Sequence, residues 1–361
     1  MPLMRSVEQA RDSDNLPLSS AIALGLGGAG NDLLTHLMDL DPRILQCVAV
    51  DTDLYALQIV RAHSKFLIPH TVEAGTCGDV EIGRKLGVEA TPELQSVLGT
   101  TEMVFILAGM GGGTGGGTAP VIAQTARKNG ALVIGLVTKP LQFEQDRFLI
   151  AVDSFRRMIS ACDTVILIDS DVPEPSLMTL PFGLSSDTAA QTCCSIIHSL
   201  AHTFAEPSLC NAELGELRTM IRRGGLARAS IGHSYSQLGA EEAALRALRN
   251  VTVFGDLGCA NGVFVNVMGG SHVQRAHVES AITLFSRSVH SSAQLLYGYR
   301  VDETMSNMTS VTLLATGMPF PVAWRGYRRL PLELYDLEAE ATEEEPLGLD
   351  LGLQQLESCA N

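Results

Sequence analysis

Residues 109–120 read Gly109-Met110-Gly111-Gly112-Gly113-Thr114-Gly115-Gly116-Gly117-Thr118-Ala119-Pro120, seven glycines in twelve positions. An apolar run, Met103 to Ala108, leads in, and a helix-like segment, Val121 to Lys128, leads out. Glycine lacks a Cβ and tolerates positive φ, so a run of glycines lets backbone N–H groups wrap an anion. A helix beginning between Thr114 and Ala119 adds its own unpaired N–H groups. The stretch therefore predicts a cradle for a di- or triphosphate at the end of a buried strand. A flexible linker is the competing reading, but linkers do not usually join an apolar strand to a helix.

Upstream, Ala21 to Gly27 reads as a buried strand that enters a second glycine cluster, Gly25, Gly27, Gly28 and Gly30. Leu33, Leu34, Leu37 and Met38 follow at helical spacing. Alone, this cluster is a weak dinucleotide fingerprint, while strand, glycine turn and helix suit any nucleotide. Cys47 to Val50 forms the next strand and ends in Asp51-Thr52-Asp53, acids placed to touch a ribose or to cap the next turn. Lys65 to Ile68 reads as a short strand, 71–87 as a loop with Gly75, Gly78 and Gly83, and Glu93 to Leu98 as a short helix. Downstream come a strand at Ala131 to Thr138, a helix at Phe143 to Ile159 and a strand at Asp163 to Asp169. Such alternation predicts an α/β fold with a parallel sheet covered on both faces. Ligands of such sheets sit at the carboxyl ends of the strands, where both glycine clusters fall.

After the proline-rich segment 171–181, Ser185 to Phe204 reads as one long helix with a small, apolar interior. A helix at Asn211 to Ile221 and a strand at Leu226 to Gly232 come next, then a helix at Glu241 to Arg249 and a strand at Gly262 to Met268. A helix at Val273 to Val289 and strands at Gln294 to Tyr299 and Thr309 to Ala315 complete a second, smaller α/β unit.

At 361 residues and 46% apolar content the chain can build two domains. No run reaches the length of a membrane span, and the first twenty residues lack the apolar segment of a signal peptide. Eight cysteines are scattered without a C-x-x-C pair, which fits a reduced cytoplasmic protein better than a disulfide scaffold or zinc site. His198 and His202 stand four apart without a third ligand in the local pattern and are read as packing residues, so no metal ligand is assigned. The net charge is −15, of which residues 331–361 carry −9 with no lysine or arginine. A chain so acidic is a poor nonspecific partner for nucleic acid, and its tail reads as disordered.

Taken together, these motifs resemble the tubulin/FtsZ family, and FtsZ more closely than eukaryotic tubulin. The 109–120 stretch is similar to the family's signature phosphate loop, with Gly116 where FtsZ commonly has threonine. Gly25 to Asn31, Glu81 to Lys85, Ala131 to Pro140 and Met268 to Gly270 resemble FtsZ as well. The resemblance runs over roughly residues 20–317. It implies a tubulin/FtsZ-like fold: an N-terminal extension (1–19), a GTP-binding domain (20–182), a central helix (183–206), a smaller α/β C-terminal domain (207–318) and an acidic tail (319–361). It also implies a GTPase that binds GTP/GDP with Mg²⁺ and polymerises head to tail, each active site completed by the next subunit. The implied partners are further copies of the chain and another FtsZ-family or membrane-anchoring division protein, with no nucleic acid and no membrane insertion. The implied setting is the cytoplasm, with recruitment to a division site. A paralogue with little hydrolysis that acts as a structural or regulatory partner is the alternative. A hydride-transferring enzyme fits poorly, because the longer glycine loop would have no role in it.

Carried over residue by residue, Gly27, Gly28, Ala29, Gly30 and Asn31 line the first phosphate loop, and Asp51 ends the second strand. Gly75 and Thr76, in a loop that continues with Cys77-Gly78-Asp79, match the segment that senses the γ-phosphate. Gly111, Gly112, Gly113, Thr114, Gly115 and Gly116 form the main cradle. Glu144 matches a ribose contact, while Phe148 stands where the family has arginine, with Arg147 one position earlier. Phe182 and Asp187 match residues near the base, and Thr188 stands where an asparagine reads guanine. In the catalytic loop the family's asparagine and two aspartates become Asn211, Glu213 and Glu216, which keeps the charge and adds one methylene of reach at each acid.

Overall fold

A computed structural model describes residues 21–69, 75–140, 144–168, 188–205, 214–235, 239–252, 257–302, 305 and 307–321. Its first half alternates strands and helices: β1 (Ala21–Leu26), α1 (Gly27–Leu40), β2 (Gln46–Asp51), α2 (Leu54–Ile59), β3 (Ser64–Leu67), α3 (Val80–Leu98), β4 (Met103–Gly109), α4 (Gly113–Lys128), β5 (Leu132–Thr138), α5 (Gln145–Ala161) and β6 (Thr164–Ile168). Then follow α6 (Thr188–Ala205), α7 (Leu214–Arg222), β7 (Gly225–Ser234), α8 (Gly239–Thr252), β8 (Gly262–Gly269), α9 (Arg275–Ser288), β9 (Gln294–Val301) and β10 (Thr309–Thr316).

The strands lie in the order β3-β2-β1-β4-β5-β6-β7-β10-β8-β9. The first six are parallel and follow the doubly wound order, which reverses between β1 and β4. The second α/β unit was read as separate. Instead β7 pairs with β6 in parallel, Thr164 opposite Gly225, so one ten-stranded sheet runs through both halves. Among the described strands, only β10 is antiparallel to its neighbours β7 and β8.

Side chains alternate across this sheet, so the core divides by face. From β1, Ile22, Leu24 and Leu26 join one cluster with α3, α4, α5, α8 and α9. Ala21 and Ala23 join the other, with α1, α6 and α7. The apolar side of α6, Cys193, Ile196, Ile197 and Leu200, is buried there as its sequence predicts. Ser199 on α6 also accepts a hydrogen bond from Asn266 Nδ2 on β8 at 2.7 Å, both groups buried. That contact ties the long helix to the second half of the sheet.

The 71–87 stretch departs from expectation. Its glycines suggested a loop, yet α3 starts at Val80 and runs nineteen residues to Leu98, past Pro92. Asp79 caps it, its carboxylate accepting from the Glu81 and Ile82 amides at 2.8 and 3.1 Å. Gly83 and Gly87 are helical because α3 packs against α4 at backbone distance. A Cβ on Gly83 would lie 2.1 Å from the Gly113 carbonyl, and one on Gly87 would press on Thr118. The short helix α2 was likewise unforeseen, and Asp53 caps it through the Tyr55 and Ala56 amides. Phe182, Asp187, Asn211 and Glu213 lie outside the described residues, as do residues 1–19 and the tail beyond 321.

Candidate nucleotide site

The site forms where the strand order reverses. β1 and β4 lie side by side, Leu26 opposite Ala108, and each passes straight into a glycine-rich helix start. In α1 the first three helical residues are Gly27, Gly28 and Ala29; in α4 they are Gly113, Thr114 and Gly115. First-turn amides have no intrahelical acceptor, so each helix presents free N–H groups and the positive end of its dipole. The two starts touch: a Cβ on Gly27, whose φ is +70°, would lie 3.0 Å from the Gly115 nitrogen. Gly28 and Gly112 differ from their neighbours, since a Cβ on either would meet nothing within 4 Å. Two converging first turns with open space before them can hold the oxygens of a polyphosphate.

The glycines of the long run divide by task. The Gly116 amide is bonded to the Gly112 carbonyl at 2.9 Å, so its expected place in the cradle becomes one of close packing. A Cβ on Gly116 would strike Ser154 Oγ at 2.5 Å, and one on Gly117 would lie 2.2 Å from the Val80 carbonyl. Gly115 combines both tasks, with a first-turn amide and a Cβ position only 2.6 Å from the Gly109 carbonyl. Gly30 is a packing glycine too, its Cβ position 2.1 Å from the Leu107 carbonyl. Gly111, at φ +118°, lets the chain pass under Pro140 and the Arg147 backbone. The start of α5 thereby meets the cradle, with the Glu144 carboxylate accepting from Arg147 Nη1 at 2.8 Å. Phe148, in place of the family's arginine, packs against the core.

Three buried hydroxyls converge beneath. Thr114 Oγ1 lies 2.9 Å from Thr52 Oγ1 and 3.2 Å from Thr76 Oγ1. They join the start of α4 to the end of β2 and to the 75–79 turn. Gly75, at φ +69°, brings that turn against Thr52. At the head of α3 burial pushes the Glu81 carboxyl up, but hydrogen bonds from Arg84 and Arg157 outweigh it and hold the group below its ordinary range. Glu81 thereby braces α3 to α5.

Asn31 and Asp51 serve as braces below the loops. Asn31 is buried and donates through Nδ2 to Asp51 Oδ2 at 3.0 Å and to the Val50 carbonyl at 3.3 Å. Asp51 Oδ1 accepts from the Thr52 and Asp53 amides at 2.8 and 3.2 Å. Burial pushes the Asp51 carboxyl up, and these bonds from Asp53, Thr52 and Asn31 oppose the shift. The Asp51 carboxylate thereby supports the turn after β2, one of the two roles open to it. Thr188 opens α6, whose backbone is described from there.

Glu216 is not brought to the cradle. It is exposed, in the first turn of α7. That helix lies along the amino edge of the sheet: Arg218 pairs with Glu102 just before β4, Arg222 donates to the Gly130 carbonyl just before β5, and Thr164 at the start of β6 donates to the Ile221 carbonyl. The glycine turns occupy the carboxyl edge, a strand length away, roughly 20 Å for a seven-residue strand.

Sequence reasoning missed Thr52 as the third hydroxyl and Asp79 as the cap. Asp79 had a usable signal, an acid directly before an apolar-periodic helix. A further grouping was legible only in part: the spacing of His198 and His202 was visible, but nothing in sequence joined to them Asp41, at the end of α1, which meets them.

A doubly wound sheet with phosphate-type turns at its switch point defines a nucleotide-binding α/β protein. Residues 20–172 match the model of the Tubulin/FtsZ family, GTPase domain, and 225–319 match that of the FtsZ family, C-terminal domain. Cell division protein FtsZ 2 of Methanocaldococcus jannaschii is 30% identical over 311 residues, covering 83% of this chain and 80% of its own. A solved structure, an empty FtsZ dimer from M. jannaschii, superposes with a TM-score of 0.73 at 28% identity, over 83% of this chain and 88% of that one. CetZ2 from Haloferax volcanii, solved as a GTPγS-bound protofilament, shares the fold with a TM-score of 0.71 at 23% identity, over 85% and 96% of the two chains. The chain belongs to the tubulin/FtsZ family.

Proposed function

We propose that this protein binds and hydrolyses GTP and assembles head to tail, the acids of one subunit completing the site of the next. The observation that carries the reading is the meeting of the α1 and α4 first turns where β1 and β4 part. Amides of Gly27, Gly28, Ala29, Gly113, Thr114 and Gly115 would hold phosphate oxygens, and the hydroxyls of Thr52, Thr76 and Thr114 would stiffen the floor. Magnesium, when bound, neutralises charge on the β- and γ-phosphates; no residue of this chain is assigned to it.

The position of Glu216 supports intersubunit completion. An acid at the amino edge cannot reach a nucleotide at the carboxyl edge of the same sheet, whereas stacked copies bring the two edges together. There Glu216, with Glu213 and Asn211 beside it in sequence, would orient the attacking water, which requires a carboxylate within about 2.6–3.2 Å of it or through one further water. The domain division of a GTP-binding part (20–182), a linking helix (183–206) and a C-terminal part (207–318) belongs to the same reading. So do a cytoplasmic role in division and self-association, which the relative's name and the dimer of the solved neighbour support. The substitutions at Phe148 and Thr188 favour a second reading, a paralogue with relaxed base selection and slow turnover.

The test is GTP turnover against protein concentration, beside a Glu213→Ala, Glu216→Ala variant. A specific rate that rises with concentration and vanishes in the variant is expected. Tight binding with flat, negligible turnover in both proteins would refute hydrolysis and leave the second reading.

A further inference from the structure

His198 and His202 sit one turn apart on α6, so their rings share a helix face. Their Nε2 atoms are 3.1 Å apart. Two imidazoles bound to one tetrahedral zinc at about 2.0–2.1 Å each hold their nitrogens about 3.3 Å apart. The observed spacing thus lies within a few tenths of an ångström of a ligating pair. Asp41 closes the group: one carboxylate oxygen and one nitrogen from each histidine all lie within 4.8 Å of one another. Asp41 is the C-cap residue of α1, and His202 is in the last turn of α6. The carboxyl end of α1 therefore lies at the group, and its partial negative charge favours a cation. Asp302, just after β9, is a second acid whose charge reaches His198, and Arg300 opposes it.

We propose that Asp41, His198 and His202 form a binding site for one divalent transition-metal ion of the zinc class. Two imidazoles and a carboxylate are a donor set suited to that class rather than to magnesium or calcium, which take oxygen ligands. Three protein ligands leave a fourth position for water or a further carboxylate. The site lies at the far end of α1 from Gly27, about 20 Å along a fourteen-residue helix. It is thus separate from the nucleotide cradle. A bound ion would fasten α6 to α1, and through Ser199 and Asn266 α6 is already joined to β8. The ion would act as a staple across the face that both halves of the sheet share.

The experiment uses the full chain purified without a histidine tag, stripped with a chelator and titrated with zinc against a chromophoric competitor. One equivalent is expected to bind, and millimolar magnesium should not displace it. Cobalt should give the visible spectrum of a tetrahedral site. His198→Ala and Asp41→Asn, at half-buried positions, are expected to weaken zinc binding at least about tenfold each, since even indirect ligand support is worth that much. Thermal melts of the stripped proteins check that both variants fold. Zinc binding that is absent, or equally tight in both variants, would overturn the proposal and leave the histidines as a hydrogen-bonded pair. GTP turnover does not enter this readout, so its failure and that of the functional reading are told apart.

Discussion

Two alanine substitutions, two residues apart in α1, should have opposite consequences. Gly30→Ala sets a Cβ 2.1 Å from the Leu107 carbonyl, where ordinary contact begins at 3.4 Å, so α1 and β4 must part by more than 1 Å. Overpacking of this kind costs about 1–3 kcal/mol, and a backbone obstacle belongs at the top of that range. Replacing helical glycine by alanine returns up to about 1 kcal/mol. A net loss of about 2 kcal/mol follows. Gly28→Ala meets nothing within 4 Å, so only the helix-propensity gain remains and the fold should be as stable or slightly more so. Its methyl group projects into the space before the first turn, where phosphate oxygens would approach the amides. Urea unfolding without nucleotide reads the first quantity, and titration with a fluorescent GTP analogue reads the second. Gly28→Ala should keep its unfolding midpoint and bind at least about tenfold more weakly, the equivalent of 1.4 kcal/mol. Unchanged affinity in a stable Gly28→Ala protein would refute the assignment of the α1 first turn to phosphate binding.

At GTP concentrations too low to fill the Gly28→Ala cradle, mixing Gly28→Ala with Glu216→Ala should give more GTP turnover than the sum of the two alone, because each supplies the half the other lacks; a phosphate-release assay of the mixture checks this. Thr114→Val removes the hydroxyl shared by Thr52 and Thr76 and should cost about 1–3 kcal/mol by urea unfolding, with Thr114→Ser nearer the parent. Asp79→Ala removes the α3 cap and should cost about 1 kcal/mol, read as a lower melting temperature. His233 is held down to about 4 by burial and by the Arg246 guanidinium. Below its ordinary value of 6.5 the unfolded chain takes up the proton first. His233 should therefore remove up to about 1.4 kcal/mol of stability per pH unit as pH falls from 6.5 to 4, and His233→Gln should flatten that slope in urea midpoints.

The nucleotide half of the fold was legible because its signals are local. An apolar strand, a glycine turn and a helix announce themselves within twenty residues, twice over. What stayed hidden depends on distant partners. Gly83 and Gly87 read as loop residues because nothing nearby in sequence says that α4 lies against them at backbone distance. Gly116 read as a phosphate contact because a glycine that makes room for Ser154 looks the same as one that bares an amide. The pairing of β6 with β7 rests on one short register between segments far apart in the chain, so one continuous sheet read as two units. Asp41 could not be joined to His198 and His202 for the same reason. At the cradle the resemblance supplied residues, and geometry then separated those that face open space, Gly28 and Gly112, from the buried braces, Asn31 and Asp51.

The separation of the glycine turns from Glu216 by the whole length of the sheet bears on symmetry. A two-fold dimer uses one patch on both partners, and one patch cannot span both edges of this molecule. Any contact that joins a cradle to a neighbour's Glu216 is therefore heterologous, giving an open chain wherever its rotation does not close a ring. The resulting chain has two chemically distinct ends, one presenting an open cradle and the other an unused acid. On the proposed mechanism one terminal subunit of such a chain would lack its completing acid and would keep its nucleotide longest, so that growth and decay would depend on direction.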